Sequence, residues 1–363
     1  MFGIEVANFR TDHVQLITVF VQKVTPYVSS GENPAVTYWQ EVFPVLAKVL
    51  ESFISFVPIC ERVCRCWRHM VISYRTAMTP LLPAMADKLA SGFQASKEGC
   101  FLWVTAAILR EFSEDRESVD PSITESIYAF FESQATTFLR EMSGLQPKEL
   151  PDVIEDFFRL LVDALLYYPQ KLIPSELLTP IFDAAIYALQ LEQRDPLSAT
   201  LHYLLDLISY GGDNPASSNN LPADVAAQLR GVVRNLLLAR GEHLIKAIMA
   251  GMMITFPRDC FADGSGVLLE MFRLMPAETT AWVETTIRLL PEGTVSAAES
   301  ERLMGKIKER LAGAGGAGGA GDSGNVRQVR ALLQDFTNSY RRRNVAPRDG
   351  LGQLGGERFR FSG

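Results

Sequence analysis

A short segment between residues 58 and 75 carries a row of arginines. Wound as an α-helix at about 100° per residue, it gathers apolar residues on one arc of about 120° and charged residues on the other. The apolar arc holds Cys60, Val63, Cys64, Trp67, Met70, Val71 and Tyr74, and the polar arc holds Glu61, Arg62, Arg65, Arg68, His69 and Arg75. Guanidinium is a fixed fork of donors that fits phosphate and carboxylate groups. The pattern therefore predicts a binding surface for an anionic partner.

The three cysteines of this segment do not form a metal site. Cys60 and Cys64 lie on the apolar arc, whereas Cys66 points about 160° away from Cys64 in an α-helix. A tetrahedral zinc site needs four ligands that converge, and His69 lies on the other arc. We expect buried structural thiols and no metal or other cofactor. The total of five cysteines is odd, which is not typical of a disulfide framework.

Catalytic chemistry finds little support in the sequence. A glycine-rich run, GAGGAGGAG at 313–321, lacks a preceding strand and the GK[ST] signature of a phosphate loop, so we interpret 313–324 as a flexible linker. The histidines are scattered and none falls in a nucleophile or metal motif. They are His13, His69, His202 and His243. We expect a protein that is not an enzyme.

The charge of the chain limits its partners. The formal net charge is −7, but residues 325–363 hold eight arginines against three acids, which leaves −12 on the remaining 324 residues. An acidic chain is a poor general binder of nucleic acid or anionic membrane. No apolar run reaches the ~18 residues of a membrane-spanning helix, and the start lacks a signal-peptide core. We expect a reducing, soluble compartment, no membrane partner and no direct nucleic-acid partner.

The elements that must position the arginine row are helices throughout. Strand and hairpin signals are almost absent, and prolines recur at the starts of apolar segments rather than inside them, where a missing N–H costs little. The predicted helices are 12–28, 37–55, 58–75, 78–93, 97–112, 122–142, 151–168, 175–191, 196–210, 222–239, 241–255, 263–274, 279–290, 298–312 and 326–343. Asp152 and Asp195 are predicted as caps or first-turn acids. The fold class is all-α.

The helices also come in pairs. A proline followed by apolar residues at helical spacing recurs in FPVLAKVL (43–50), TPLLPAMADKL (79–89) and TPIFDAAIYAL (179–189). With FFESQATTFL (130–139), which fits the same pattern without the proline, the intervals are roughly 36 to 52 residues. This period is typical of HEAT-type helix pairs, which stack into a solenoid with a concave wall. We predict such an array over 1–312, the linker, a terminal docking helix over 325–344 and a disordered basic tail over 345–363.

Several segments resemble the C-terminal part of the transportin-SR branch of the importin-β superfamily. They are ERVCRCWRHMV (61–71), GCFLWVTAAILREF (99–112), LPDVIEDFFRLL (150–161) and RALLQDFTNSYRR (330–342). The resemblance implies a HEAT-like nuclear import receptor for cargo proteins with Arg/Ser-rich, phosphorylated segments, present in nucleus and cytoplasm. It further implies nucleoporins and the small GTPase Ran as partners. Ran's main binding repeats would precede Met1, so we expect a C-terminal fragment.

The same resemblance assigns roles to individual arginines. Arg65 and Arg68 fall where the family has phosphate-binding arginines, while the third position of that row holds Ile72. Arg75, within one turn, is a candidate replacement. Arg62 also matches, but lies nearer the helix start, where a structural role is the alternative.

Two acidic segments would complete such a site. On the helix from 151, Asp152, Glu155 and Asp156 share one face by their i, i+3, i+4 spacing. Cargo that alternates phosphoserine with arginine needs both signs close together, so these acids would hold cargo arginines while Arg65 and Arg68 hold phosphates. A second acidic run includes Glu111, Glu114, Asp115, Glu117 and Asp120. The alternative function is a helical-repeat scaffold or export factor for a different protein partner.

Overall fold

The computed structural model describes residues 12, 14–19, 21, 34–114, 119–213, 215, 221–312 and 321–345. These residues form α-helices joined by short turns, with no strand among them, which confirms the all-α prediction. The chain divides into two compact units, residues 1–184 and 185–363. No helix of the described part is long and apolar enough to cross a membrane.

The N-terminal unit contains two layers of helices. Its elements are α1 (Pro34–Ser52), α2 (Val57–Tyr74), α3 (Leu82–Ser96), α4 (Cys100–Glu114), α5 (Pro121–Met142), α6 (Pro151–Tyr167) and α7 (Pro169–Leu172), followed by α8 (Leu178–Ala188), which crosses the boundary between the units. Helices α2, α4 and α6 pack side by side in one layer, and α1, α3 and α5 form the other. Consecutive helices therefore alternate between layers, as in stacked helix pairs.

Helix α2 is held on two sides by packing. All seven residues of the predicted apolar arc are at most 5% exposed, and Trp67 stacks on Phe43 of α1 with ring centroids 4.9 Å apart. Cys66, which points about 160° away from Cys64, is also fully buried and interacts with Thr18. Residues of the preceding helical segment cover this second side, so only a narrow polar strip of α2 remains accessible.

Prolines and acids mark most helix starts as predicted. Pro34, Pro121, Pro151 and Pro276 are first residues of helices, and Asp152 and Asp195 lie in first turns. Pro44 is an exception, because it lies inside α1.

The C-terminal unit continues the helical pattern. Its elements are α9 (Arg194–Ser209), α10 (Ala223–Ala250), α11 (Phe261–Leu274), α12 (Pro276–Arg288), α13 (Ala297–Ala312) and α14 (Gly321–Asn344). A break near Gly241 was predicted and is wrong, since α10 runs through it to a π turn at Gly251–Thr255. A Cβ at Gly241 would lie 2.5 Å from the Trp282 ring, so glycine there permits close helix packing.

The last helix, α14, packs against α11 and α13. Val326, Val329 and Leu333 are buried in this contact. Arg341 donates to the carbonyl of Phe256 at 2.6 Å, which gives a partner to a backbone acceptor beside the π turn. The helix begins at Gly321, so the last four residues of the range predicted as linker are helical, while 313–320 and 346–363 lie outside the described residues.

A candidate anion-binding site on three helices

Two arginines of α2 lie on its narrow polar strip. Arg65 is exposed and Arg68 is half-buried, and neither makes a hydrogen bond or an ion pair within 4.0 Å to another described residue. Burial, followed by the charges of Arg110 and Arg65, lowers the pKa of Arg68, while Asp163 and Glu111 act in the opposite direction. Burial and the charges of Arg68 and Arg65 lower the pKa of His69. The strip is therefore a region of concentrated positive charge, which favours an anion.

Arg75 does not continue this row. The helix ends at Tyr74, and Arg75 begins a 3₁₀ segment (Arg75–Leu81) with a positive φ of 46°. Its Nε lies 3.2 Å from Oε2 of Glu111, a carboxylate that is 5% exposed. The prediction that Arg75 shares the polar arc of the same helix is wrong, because the backbone turns away at that residue.

Arg62 faces the preceding helical segment. Its Nη1 donates to Oε1 of Gln15. This contact ties α2 to the segment that covers Cys66, which is the structural role considered for Arg62. Ile72, at the third position of the row, is half-buried.

The neighbouring helix α4 contributes charges that sequence reasoning missed. Arg110 Nε lies 3.3 Å from Glu111 Oε1, and its Nη1 lies 3.9 Å from Asp163 Oδ2 on α6. Burial raises the pKa of Asp163 to about 6, although the charges of Arg110 and Arg68 act to lower it. Arg68, Arg110 and Asp163 thus come from three adjacent helices of one layer. Periodicity within one helix does not relate charges on different helices, so the sequence carried no signal for this cluster.

The three predicted acids of α6 lie near its first turn. Asp152 is exposed, and Glu155 is half-buried and pairs with Arg159 at 2.6 Å. Asp156 is also half-buried, in contact with Gly99, and it accepts a hydrogen bond from Trp103; burial raises its pKa to about 6. Burial and the charges of Glu61 and Asp152 raise the pKa of Glu98, just before α4. A negative region therefore lies at the start of α4 and α6, in the same layer as the arginines.

The other predicted acidic run contributes less to this site. Asp115 and Glu117 lie outside the described residues, as does the side chain of Glu114. Asp120 caps α5 by accepting a hydrogen bond from the Ser122 N–H at 2.8 Å. Hydrogen bonding with the Ser122 side chain, followed by that N–H, lowers the pKa of Asp120. Glu111 is buried and holds arginines of this chain rather than facing solvent.

The five cysteines are all free and buried, which confirms the burial predicted for the three of α2. Burial raises the pKa of Cys60 to about 12 and that of Cys66 to about 11. Within the described part of the chain, no group of three or more His, Cys, Asp and Glu side chains is arranged to hold a metal ion. The charged groups at the site are guanidinium and carboxylate groups, which recognise ligands of opposite charge.

Comparisons with known proteins support the resemblance at a coarse level. Residues 33–138, which contain α2 and α4, match the family model described as the Transportin-3/Importin-13 fourth TPR domain. An uncharacterized protein of Schizosaccharomyces pombe is 33% identical over 342 residues, covering 93% of this chain and 34% of the relative. The mRNA transport regulator MTR10 of Saccharomyces cerevisiae is 24% identical, covering 93% of this chain and 35% of the relative.

Importin-13 is similar both in sequence and in fold. The human sequence is 22% identical over 271 residues, covering 74% of this chain and 26% of the relative. A solved structure titled Importin13 cytosolic state superposes with a TM-score of 0.72 at 16% identity, covering 94% of this chain and 36% of that one. This likeness confirms the HEAT-like solenoid prediction. The chain spans about a third of the length of the first two curated relatives.

Proposed function

We propose that this chain is the cargo-binding part of a nuclear import receptor, and that its cargo carries an Arg/Ser-rich segment in phosphorylated form. The observation that carries the proposal is the position of Arg65 and Arg68, which lie on an accessible strip of α2 with no ion-pair partner within 4.0 Å among the described residues. Asp152, Glu155 and Asp156 lie in the same layer, on α6. Phosphates of the cargo bind the arginines, and cargo arginines bind the acids.

A cargo segment with alternating charges fits the site better than a purely anionic peptide would. A phosphoserine carries close to two negative charges at neutral pH and three acceptor oxygens, which suits neighbouring guanidinium groups. A peptide that carries only negative charge would be repelled by the negative region at the start of α4 and α6. Alternating charges in the cargo avoid this repulsion and fix the register of the bound segment.

For the intact receptor we propose Ran and nucleoporins as further partners, and a distribution between nucleus and cytoplasm. This part of the proposal rests on the likeness to Importin-13 and MTR10. The chain spans about a third of MTR10 and about a quarter of Importin-13.

Fluorescence anisotropy with a labelled Arg-Ser repeat peptide, phosphorylated and unphosphorylated, tests the cargo proposal. We expect salt-sensitive binding of the phosphorylated peptide, weakened at least about tenfold in the Arg65→Ala/Arg68→Ala double variant. The matched control is Arg302→Ala/Arg310→Ala, which removes the same charge from exposed positions of α13.

Equal binding by the wild-type protein and the Arg65→Ala/Arg68→Ala variant would overturn the assigned site. It would favour the alternative of a helical-repeat scaffold or export factor whose partner binds elsewhere. The helical circular dichroism of each variant must match the wild type, since Arg68 is half-buried next to the core of α2.

A further inference from the structure

One carboxylate of α6 lies among arginines from two other helices. Asp163 Oδ2 is 3.9 Å from Nη1 of Arg110, and the charge of Arg68 also acts on this carboxylate. Arg65 acts on Arg68 from one turn earlier in α2. Arg110 and Arg68 therefore share the Asp163 carboxylate, whose side chain is only 22% exposed, and Glu111 is a second acid near both arginines. The cluster has an excess of positive charge.

A buried anchor holds Arg110 in this cluster. Glu111, the next residue of α4, places its carboxylate 3.3 Å from Arg110 Nε and 3.2 Å from Arg75 Nε. Because Glu111 is 5% exposed, its charge needs these two partners and restricts both of them. The Arg110 side chain remains 29% exposed, so it is both fixed and accessible.

We infer that Arg110 of α4 is the third guanidinium of the phosphate-binding site, and that Asp163 is the internal counter-ion of that site when no cargo is bound. The inference rests on the proposed function. Glu111 is then a positioning residue, and Arg75, which pairs with the other oxygen of the Glu111 carboxylate, is assigned no role in phosphate binding. The ligand is a phosphate monoester of a serine-containing segment, held by arginines of two adjacent helices.

The charge of the ligand decides how well it competes with Asp163. A phosphate monoester carries close to two negative charges and three oxygens, so it can engage guanidinium groups from α2 and α4 at once. A glutamate in the same peptide carries one charge and two oxygens. The site therefore distinguishes phosphoserine from an acidic side chain, and it does so through Arg110.

Three labelled peptides test this inference against the full chain: an Arg–phosphoserine repeat, the same repeat with glutamate for phosphoserine, and the unphosphorylated repeat. We expect Arg110→Gln to weaken phosphopeptide binding about tenfold and to make that binding less dependent on salt. Binding of the unphosphorylated peptide should be nearly unchanged. Arg75→Gln is the matched control, because Arg75 also pairs with Glu111, and we expect it to bind as the wild type does. Arg110→Lys should recover part of the loss, since it restores the charge without the fork.

A second variant, at Asp163, is expected to change the affinity for the phosphopeptide in the opposite direction. Asp163→Asn removes the competing carboxylate, so we expect tighter phosphopeptide binding, which structural damage would not produce. Weaker binding in Asp163→Asn, or equal losses in Arg110→Gln and Arg75→Gln, would overturn the inference. Wild-type binding by Arg110→Gln together with loss in Arg65→Ala/Arg68→Ala would overturn the inference alone and leave the proposed function standing. If the wild type binds no phosphopeptide, both fail.

Discussion

Replacing Asp163 by asparagine should stabilise the N-terminal unit at neutral pH, even though it removes a charge that lies near two arginines. Burial is the largest effect on this carboxyl group and outweighs the attraction of Arg110 and Arg68, so its pKa is raised to about 6. Between about pH 4 and about pH 6, Asp163 is therefore protonated in the native state but ionised in the unfolded chain. The free energy of unfolding falls as the pH rises through this range, and above about pH 6 the destabilisation by the buried charge is complete.

The magnitude follows from the two pKa values. A shift from 3.8 to about 6 corresponds to about 3 kcal/mol at neutral pH, and partial exposure of the side chain makes about 2 kcal/mol a more suitable expectation. Asparagine is neutral and similar in size, so it removes this cost at pH 7.5 and changes little near pH 4. Asp156, also raised to about 6, retains its share of the pH dependence in the variant.

Urea unfolding between pH 4.5 and 7.5, followed by tryptophan fluorescence, measures the effect. Trp39, Trp67 and Trp103 lie in the N-terminal unit, so three of the four tryptophans report on it. Asp152→Asn removes one charge from an exposed position of the same helix and separates a general charge effect from the effect of burial. The reasoning would be refuted if Asp163→Asn were less stable than the wild type at pH 7.5 and its free energy of unfolding had the same dependence on pH. That result would show that the pairing of Asp163 with Arg110 outweighs the cost of burial.

Further predictions concern the packing of the helices. Trp67→Ala should cost about 3–5 kcal/mol by thermal unfolding, because the ring is fully buried against Phe43; a loss below about 1 kcal/mol would contradict this packing. Gly241→Ala should destabilise the C-terminal unit by about 1–3 kcal/mol in urea unfolding, because its new Cβ would lie 2.5 Å from the Trp282 ring. Gly231→Ala is the control and should be neutral or stabilising, because the space around Gly231 is open. The five buried cysteines should resist a thiol reagent until the protein unfolds, and rapid labelling of the native protein would contradict their burial.

The sequence predicted the helices and the buried side of α2 because both depend on local periodicity. The apolar residues from Cys60 to Tyr74 recur at helical spacing, and all are buried. The same periodicity could not identify what covers Cys66, since that cover comes from a different helical segment. Nor could it predict that α2 ends at Tyr74, because the chain turns there through a residue with positive φ, Arg75, whose side chain pairs with a buried glutamate.

Gly241 is a second position at which the local sequence predicted the course of a helix wrongly: here the helix continues where a break was predicted. Glycine between two apolar segments is a reasonable signal for the end of a helix, and a break was predicted there. The structure keeps the helix continuous because the absent Cβ leaves room for the Trp282 ring of α12. A glycine selected for close packing and a glycine that ends a helix look alike in one sequence, and only the residue that packs against it distinguishes them.

The candidate site shows which part of a charged surface a single sequence can reveal. Arg65 and Arg68 were predicted because they lie on one helix at a spacing that periodicity detects. Arg110 and Asp163 are 42 and 95 residues away from Arg68 in the chain, on two other helices, so the periodicity of α2 cannot relate them to it. They join the arginines of α2 only because alternate helices share a layer, which brings α2, α4 and α6 side by side. In a helical array of this kind, charged residues of alternate helices can therefore form a shared site, and Arg110 is the residue on which that reasoning can be tested.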